Sequence, residues 1–223
     1  MSVPQSYSSL LALPLFQGMS HSDLEKVIAH TRLAFHKFSP GKTIITEGQL
    51  CNELFFFISG EIEVSTKADD HSYYMTEFLT GPEILEPERL FGLNQHHQRT
   101  FKANQVCSCM SIAKEAVLDL LNAFEIFRIN FLNILSTQVQ KQGHQPWQKV
   151  PQDLRQFIIR FVMSHCLRPA GRKILHIKMA QLARELNDSR IDISHQLNRM
   201  CDEGVLHLYR GRIEIPALEL LLQ

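Results

Sequence analysis

Seven short runs of apolar or alternating residues follow one another in the first half of the chain, and several of them end at a glycine. Runs of about five or six residues at such spacing are typical of antiparallel sandwiches and jelly rolls. We therefore predict a β-roll that follows a helix near His21–Thr31, with Ser20 or Ser22 as its cap. The predicted strands are Leu33–Phe38, Thr43–Thr46, Leu54–Ser59, Glu61–Thr66, Tyr73–Leu79, Arg99–Ala103 and Val106–Ala113.

The last seventy or so residues change to a helical pattern with a closing hairpin. A helix from Pro151 to about Cys166 and a short strand at Lys173–Ile177 come first. Two helices separated by a tight turn follow, and Val205–Tyr209 and Arg212–Ile215 then form a hairpin. The two helices are Lys178–Leu186 and Arg190–Glu203, the second capped by Asp188 or Ser189. This order predicts a winged helix-turn-helix.

A helical segment that is apolar on two faces joins these parts, running through Lys114–Ala123 and Glu125–Gln142. Such a helix needs two packing partners, and we predict its own β-roll and a twin helix in a homodimer. A single helix buried across a monomer's core is the alternative. We assign one set to the dimer helix, namely Phe124, Phe127, Phe131 and Ile134. A second set lies on another face and comprises Ile129, Leu132, Leu135 and Val139.

The charges divide unevenly between the two halves, although 23 Lys+Arg balance 23 Asp+Glu in the 223 residues. Residues 148–223 hold 12 basic and 8 acidic side chains, and residues 1–147 hold 11 and 15. Charge-opposed halves suggest modules with different partners. We predict an α+β chain with a jelly-roll sensor domain at 1–113, a dimerisation helix and hinge at 114–146, and a DNA-binding domain at 147–223.

Five cysteines at irregular spacing argue against a disulfide framework and favour a reducing compartment. Cys107 and Cys109 lack the spacing of a zinc pair, so we expect buried strand positions and no metal. The adjacent His96 and His97 are expected in a solvated loop or strand end. Leu10–Phe16 is too short for a membrane span or signal peptide. We predict a cytoplasmic protein without membrane association.

Two segments of the first half resemble the cyclic-nucleotide-binding β-roll of the Crp/Fnr family of bacterial transcription regulators. They are Phe38-Ser-Pro-Gly-Lys-Thr-Ile-Ile-Thr-Glu-Gly48 and Leu54-Phe-Phe-Phe-Ile-Ser-Gly-Glu-Ile-Glu-Val64. In the second half, Leu182–Arg190, Ile193–Met200 and Arg210–Ile215 resemble the family's DNA-binding domain. The resemblance implies a homodimer that binds double-stranded DNA at a pseudo-palindromic operator, with RNA polymerase as a further partner.

Family members that bind a cyclic nucleotide hold it with a Phe-Gly-Glu helix and a following Arg-Ser/Thr pair. The resemblance places Glu86 on the glutamate and Arg99-Thr100 on that pair, so these three residues form the candidate effector pocket. Leu85 stands where the family has glycine, and an alternative alignment uses Phe91-Gly92. Three interpretations stay open. They are a cyclic nucleotide, another small molecule, and an unliganded pocket in which Glu86 and Arg99 form a structural ion pair.

The second helix of the helix-turn-helix supplies the candidate DNA contacts, because side chains near its N-terminus reach base edges in the major groove. The candidate base readers are Ser189, Arg190, Ser194, His195 and Asn198. The candidate phosphate contacts are Lys178, Arg199, Arg210 and Arg212. For each arginine the alternative is an ordinary solvent-exposed charge.

We predict a sequence-specific DNA-binding transcription regulator, controlled by a small-molecule effector in the β-roll if the pocket is functional. A rival is a cyclic-nucleotide-responsive sensor whose C-terminal domain docks a protein. An enzyme is the weakest hypothesis, since no nucleophile–base pair or metal-ligand spacing is evident along the sequence.

Overall fold

The computed structural model describes residues 10–144, 147 and 149–222. The chain divides into two compact units. The first contains Met1–Ile62 and Thr80–Pro146, and the second contains Glu63–Leu79 and Trp147–Gln223. The sequence predicts the hinge at Gly143–Gln152, and Gln145, Pro146 and Gln148 within it lie outside the described residues. The bounds of the three predicted domains therefore stay a prediction.

The first unit is a β-roll, with the helix His21–His30 before its first strand and two helices after its last. Its elements are α1 (His21–His30), β1 (Ala34–Phe38), β2 (Thr43–Ile45), β3 (Glu53–Ser59), β4 (Glu61–Lys67, which continues into the second unit), β6 (Glu83–Leu85), β7 (Arg99–Ala103), β8 (Cys107–Ala113), α2 (Lys114–Ala123) and α3 (Glu125–His144). Strand β5 belongs mostly to the second unit.

Four of these strands form an antiparallel sheet in the order β1-β8-β3-β6. Strands β2 and β7 also pair antiparallel. Gly60 turns β3 into β4 with a φ of 108°, and a Cβ there would come within 2.6 Å of the Val106 carbonyl oxygen. A larger residue at this turn would therefore be strained.

The core of the first unit lies between the four-stranded sheet, the N-terminal segment and α3. Phe16 packs against Phe56 of β3 and Phe127 of α3, with ring centroids 5.7 and 5.3 Å apart. Cys107 and Cys109 are fully buried on β8, as the sequence predicts for strand positions. The N-terminal helix and its cap are also confirmed, because the Ser20 side chain accepts a hydrogen bond from the Asp23 amide.

The second unit contains the winged helix-turn-helix. Its elements are β5 (Tyr74–Thr80, mostly in this unit), α4 (Leu154–Ser164), β9 (Lys173–His176), α5 (Met179–Leu186), α6 (Arg190–Asp202), β10 (His207–Tyr209) and β11 (Arg212–Ile215). Four of its strands pair side by side in the order β10-β11-β9-β5.

Strand β5 of the second unit is supplied by residues far earlier in the chain than the other strands paired with it in the order β10-β11-β9-β5. It runs antiparallel to β9, with Tyr74 opposite His176 and Glu77 opposite Lys173. The core of the unit is filled in part by the inward face of α6. The residues of that face are Ile193, Leu197 and Met200.

The predicted fold class is confirmed, and the predicted strands and helices agree closely with those observed. The short strand β6 and the 3-10 turn Pro87–Arg89 were not predicted. Both lie in the acidic Gly81–Gly92 stretch, where three residues of strand are too few to give an alternating pattern.

Candidate nucleic-acid interface and effector site

The recognition helix α6 begins directly after a tight turn. Asn187 ends α5 in the left-handed conformation, with a φ of 51°. Ser189 then caps α6 by accepting a hydrogen bond from the Asp192 amide at 3.1 Å. The Ser189 hydroxyl also donates to the Asp192 carboxylate at 2.6 Å. Ser189 is therefore engaged as a cap, and to read a base it would have to release Asp192.

The outward face of α6 presents the other candidate base readers. Arg190, His195 and Asn198 are exposed, and Ser194 is half-buried. Sequence reasoning did not include Ile191 among the readers, although its side chain is 69% exposed. Ile191 precedes His195 by four residues, and His195 precedes Asn198 by three, so all three share one helix face. An exposed isoleucine at this place is suited to the methyl group of thymine.

The candidate phosphate contacts fall into two groups. Lys178 is exposed at the start of α5, and Arg210 is exposed at the tip of the β10–β11 wing. Arg212 is more constrained, since it stacks over Tyr209 at 4.5 Å and pairs with Glu214 at 3.0 Å. Of these three, Lys178 and Arg210 thus have the greater freedom to reach a phosphate.

Arg199 has mostly acidic surroundings. It lines an open groove of about 480 Å³ together with Arg155, Gln196 and three carboxylates. The carboxylates belong to Asp153, Asp202 and Glu203. Nearby negative charge repels a phosphate, so Arg199 is the weakest of the four candidates.

The candidate effector residue Glu86 is buried, with a side chain only 1% exposed. Its carboxylate accepts hydrogen bonds from His97 Nδ1 at 2.8 Å, the Gln98 amide at 3.2 Å and Arg99 Nη1 at 3.0 Å. Arg99 also approaches Glu88 at 3.6 Å. Glu86 and Arg99 therefore form the ion pair that was one of the three interpretations. Thr100 lies beside them on β7 and accepts a hydrogen bond from the Glu47 amide.

His97 differs from the sequence prediction, because it is 3% exposed and does not lie in a solvated loop. His96 is exposed, as expected for adjacent residues that point to opposite faces. Burial lowers the pKa of His97, but hydrogen bonds and charge interactions with Cys51 and Glu86 outweigh it and raise the pKa to about 9. The buried imidazole is therefore protonated at neutral pH.

This raised pKa predicts that stability falls with increasing pH. The folded pKa of His97, about 9, exceeds the ordinary value of 6.5. The stabilisation that the protonated His97 imidazolium gives to the folded state is therefore complete below pH 6.5, and it is lost as the pH rises through 9. The expected loss of unfolding free energy is about 3 kcal/mol. Urea unfolding at several pH values measures it, and His97→Gln should flatten the profile. An unchanged slope in that variant would contradict the assignment.

The four residues assigned to the dimer helix pack inside the protomer. Phe127 is fully buried and Phe131 is 4% exposed, while Phe124 and Ile134 are half-buried against the same core. Of the second set, Leu135 packs against the same core, whereas Ile129, Leu132 and Val139 are 42%, 54% and 67% exposed and form the surface of α3 left for a twin helix. The helix is thus apolar on two faces, and the dimer contact stays a prediction.

Comparison with known proteins agrees with this geometry. Residues 35–124 match the family described as Cyclic nucleotide-binding domain. The chain is 22% identical over 222 residues to the Cyclic AMP receptor protein of Thermus thermophilus, and the match covers 93% of this chain and 94% of that protein.

Two solved structures extend the likeness over nearly the whole chain. The Catabolite Activator Protein of Thermus thermophilus has a TM-score of 0.52 at 19% identity, covering 94% of this chain and 96% of that one. A candidate transcriptional regulator of the Crp/Fnr family from Eubacterium rectale has a TM-score of 0.56 at 17% identity, covering 95% and 97%. The chain has the Crp/Fnr fold. The resemblance predicted from the sequence is confirmed.

We also searched the helices of the described residues for a candidate membrane span. None of the helices within residues 10–144, 147 and 149–222 combines the length and hydrophobicity needed to cross a bilayer.

Proposed function

We propose that the chain is a sequence-specific DNA-binding transcription regulator of Crp/Fnr type that acts as a homodimer. The observation that carries this proposal is the outward face of α6, where Arg190, His195 and Asn198 are exposed beside Ile191. A recognition helix with such a face enters the major groove and touches base edges. Dimerisation would use the exposed apolar face of α3, which comprises Ile129, Leu132 and Val139.

Each base reader has a distinct chemical role. The planar guanidinium of Arg190 can donate two parallel hydrogen bonds to guanine, and the amide of Asn198 can pair with adenine. His195 can donate to guanine, and Ser194 can contact either base type. Ile191 adds an apolar contact with thymine. Ser189 contributes mainly by fixing the start of the helix, because its hydroxyl is bonded to Asp192.

The phosphate contacts would set the position of the protein on the duplex without reading sequence. Lys178 and Arg210 support this role because both are exposed. Arg212 would contribute from the wing, and Arg199 would contribute least because of its acidic neighbours.

Replacing Arg210 by alanine should weaken DNA binding about equally for all sequences. The slope of log K against log salt should fall by about 1 for each phosphate that the variant no longer neutralises. Fluorescence anisotropy across a salt series measures the slope, with the exposed Lys42→Ala of the β-roll as a charge-matched control. A reduction in affinity confined to one operator sequence, or a slope equal to that of Lys42→Ala, would contradict the role.

The effector site proposed in the β-roll consists of Glu86, Arg99 and Thr100. The guanidinium of Arg99 supports an anionic ligand because its Nε is buried without a hydrogen-bond partner. A phosphate would have to compete with Glu86, which already binds Arg99 at 3.0 Å. A cyclic nucleotide is therefore one candidate effector, and the ion pair without ligand is the other state to be tested.

A further inference from the structure

Strand β9 of the second unit lies between β5 and the wing formed by β10 and β11. It pairs with β5 on one side and with β11 on the other. The register places four apolar residues opposite one another in a row across the sheet, namely Met75, Leu175, Ile213 and Leu208. The first three are buried in the core of the unit, and Leu208 is half-buried against it. The wing is therefore connected to β5 through an apolar row of cross-strand neighbours.

A second connection between β5 and the wing is made by polar and aromatic side chains. The guanidinium of Arg172 lies over the Phe78 ring of β5 at 4.7 Å and approaches the Glu214 carboxylate of β11 at 3.9 Å. Glu214 also pairs with Arg212 at 3.0 Å. Arg212 in turn stacks over the ring of Tyr209 on β10 at 4.5 Å. These five side chains form a continuous series of contacts from β5 to the wing.

The buried ion pair of Glu77 and Lys173 holds β5 against β9. The two charged groups are 2.9 Å apart, and their side chains are 0% and 1% exposed. The Glu77 carboxylate also accepts a hydrogen bond from the Leu167 amide at 2.8 Å, and Lys173 Nζ donates to the Ala170 carbonyl at 2.8 Å. Separating the strands would leave each buried ion without its counter-charge. Glu77 therefore fixes the position of β9 relative to β5.

The residue that follows β9 is bonded to the turn of the wing. The Ile177 amide donates a hydrogen bond to the Gly211 carbonyl at 3.1 Å. Gly211 adjoins Arg210, which is exposed at the tip of the wing. A guanidinium contacts a phosphate oxygen only within a hydrogen-bond distance of about 2.7–2.9 Å, so a shift of the wing by about 1–2 Å removes the contact. The position of β9 thus decides whether Arg210 reaches a phosphate.

We propose that β5 positions the wing for DNA binding, with Glu77 and Phe78 holding it where Arg210 meets a phosphate. The inference rests on the proposed function, because it concerns the phosphate contacts of the same DNA-binding surface. In this role neither Glu77 nor Phe78 touches DNA. Glu77 acts through β9, and Phe78 acts through the series of side chains that ends at Tyr209. An early segment of the sequence thereby determines a DNA contact made near the end of the chain.

The salt dependence of DNA binding distinguishes this role from base reading. In the full chain, Glu77→Ala and Phe78→Ala should each lower the slope of log K against log salt, by about 0.9 for each phosphate no longer neutralised. The preference for guanine at the position read by Arg190 should stay, because base reading belongs to α6. If Glu77→Ala does not fold, Phe78→Ala still gives the test, since it leaves the buried ion pair intact. An unchanged slope in the folded variants, or a lost guanine preference, would overturn the inference.

Combined variants show whether Glu77 acts through the wing. Adding Arg210→Ala to Glu77→Ala should lower the slope no further, because the same phosphate contact is lost only once. Glu77→Leu with Lys173→Met should restore the wild-type slope, since β5 then stays paired without a buried charge. The matched controls Asp69→Ala and Phe35→Ala remove an exposed carboxylate and an exposed ring, and both should keep the wild-type slope. Slopes that fall additively would contradict the role.

Hydrogen exchange without DNA separates failure of this inference from failure of the proposed function. In Phe78→Ala, the amides of β11 and Ile177 should exchange at least about tenfold faster than in Phe35→Ala, and those of α6 should change less. Equal wing protection in the two variants, or equal acceleration of the wing and α6, would overturn the inference. A wild-type protein that binds no DNA would refute the proposed function, whereas the exchange rates decide by themselves whether β5 positions the wing.

Discussion

Replacing Glu77 by alanine should destabilise the second unit by about 3–5 kcal/mol. Glu77 lies on β5 with its side chain fully buried, and it pairs with Lys173 of β9 at 2.9 Å. Its carboxylate also accepts a hydrogen bond from the Leu167 amide at 2.8 Å. Alanine would leave the ammonium of Lys173, which is 1% exposed, buried without its counter-charge. Urea unfolding followed by circular dichroism measures the loss.

Two comparisons make this prediction specific to the ion pair. Asp69→Ala removes an exposed carboxylate from the same early segment and should change stability by less than about 0.5 kcal/mol. The double variant Glu77→Leu with Lys173→Met should recover most of the loss, because neither charge is then buried alone. A Glu77→Ala protein as stable as the wild type would show that Lys173 finds another partner.

The same contacts make β5 part of the unit that contains the helix-turn-helix. Besides the ion pair, Tyr74 stacks on His176 with ring centroids 4.0 Å apart, and the Tyr73 hydroxyl lies 3.0 Å from His165 Nε2. A fragment that begins at residue 147 would lack this strand and would leave Lys173 unpaired. Experiments on DNA binding are therefore best made with the full chain.

Replacing Arg190 by alanine should cost about 1–3 kcal/mol of binding free energy at each operator half-site, or about 5–150-fold in affinity. A homodimer with two half-sites would lose about twice that free energy. The preference for guanine at the contacted position should disappear as well. Electrophoretic mobility shift with matched and substituted operators measures both effects.

Arg160→Ala on α4 is the control, because it removes the same charge from the second unit but not from α6. It should bind the operator nearly as well as the wild type. If Arg190→Ala folds normally and binds DNA with unchanged affinity, this result favours the alternative function, in which the C-terminal domain binds a protein.

Local patterns in the sequence were enough to predict most of the fold. Alternating residues predicted β4 and β8, and apolar residues at three- and four-residue spacing predicted α3 and α6. Ser20 and Ser189 were both named as possible helix caps, and each accepts the expected backbone hydrogen bond. These features depend on neighbours within a few positions along the chain, so they can be predicted without knowledge of the tertiary structure.

The contacts that the sequence did not predict join residues that are far apart along the chain. Glu77 and Lys173 were assigned to different predicted domains, yet they face each other across β5 and β9. Cys51 and His97 lie near each other because the segments that contain them form an antiparallel bridge. The two faces of α3 were correctly recognised as apolar, but periodicity cannot decide which face meets the protomer's own core. That choice depends on Phe16, which packs between Phe56 of the sheet and the α3 helix.

The central claim is sequence-specific DNA binding, and selection of genomic DNA fragments by the purified full chain tests it most directly. The selection is made at one fixed, near-physiological salt concentration, without ligand and again with cyclic nucleotides, because phosphate contacts make affinity strongly salt-dependent. We expect enrichment of a pseudo-palindrome with half-sites about one DNA turn apart, ~34 Å. Fragments without a shared sequence under every condition would contradict the proposed function.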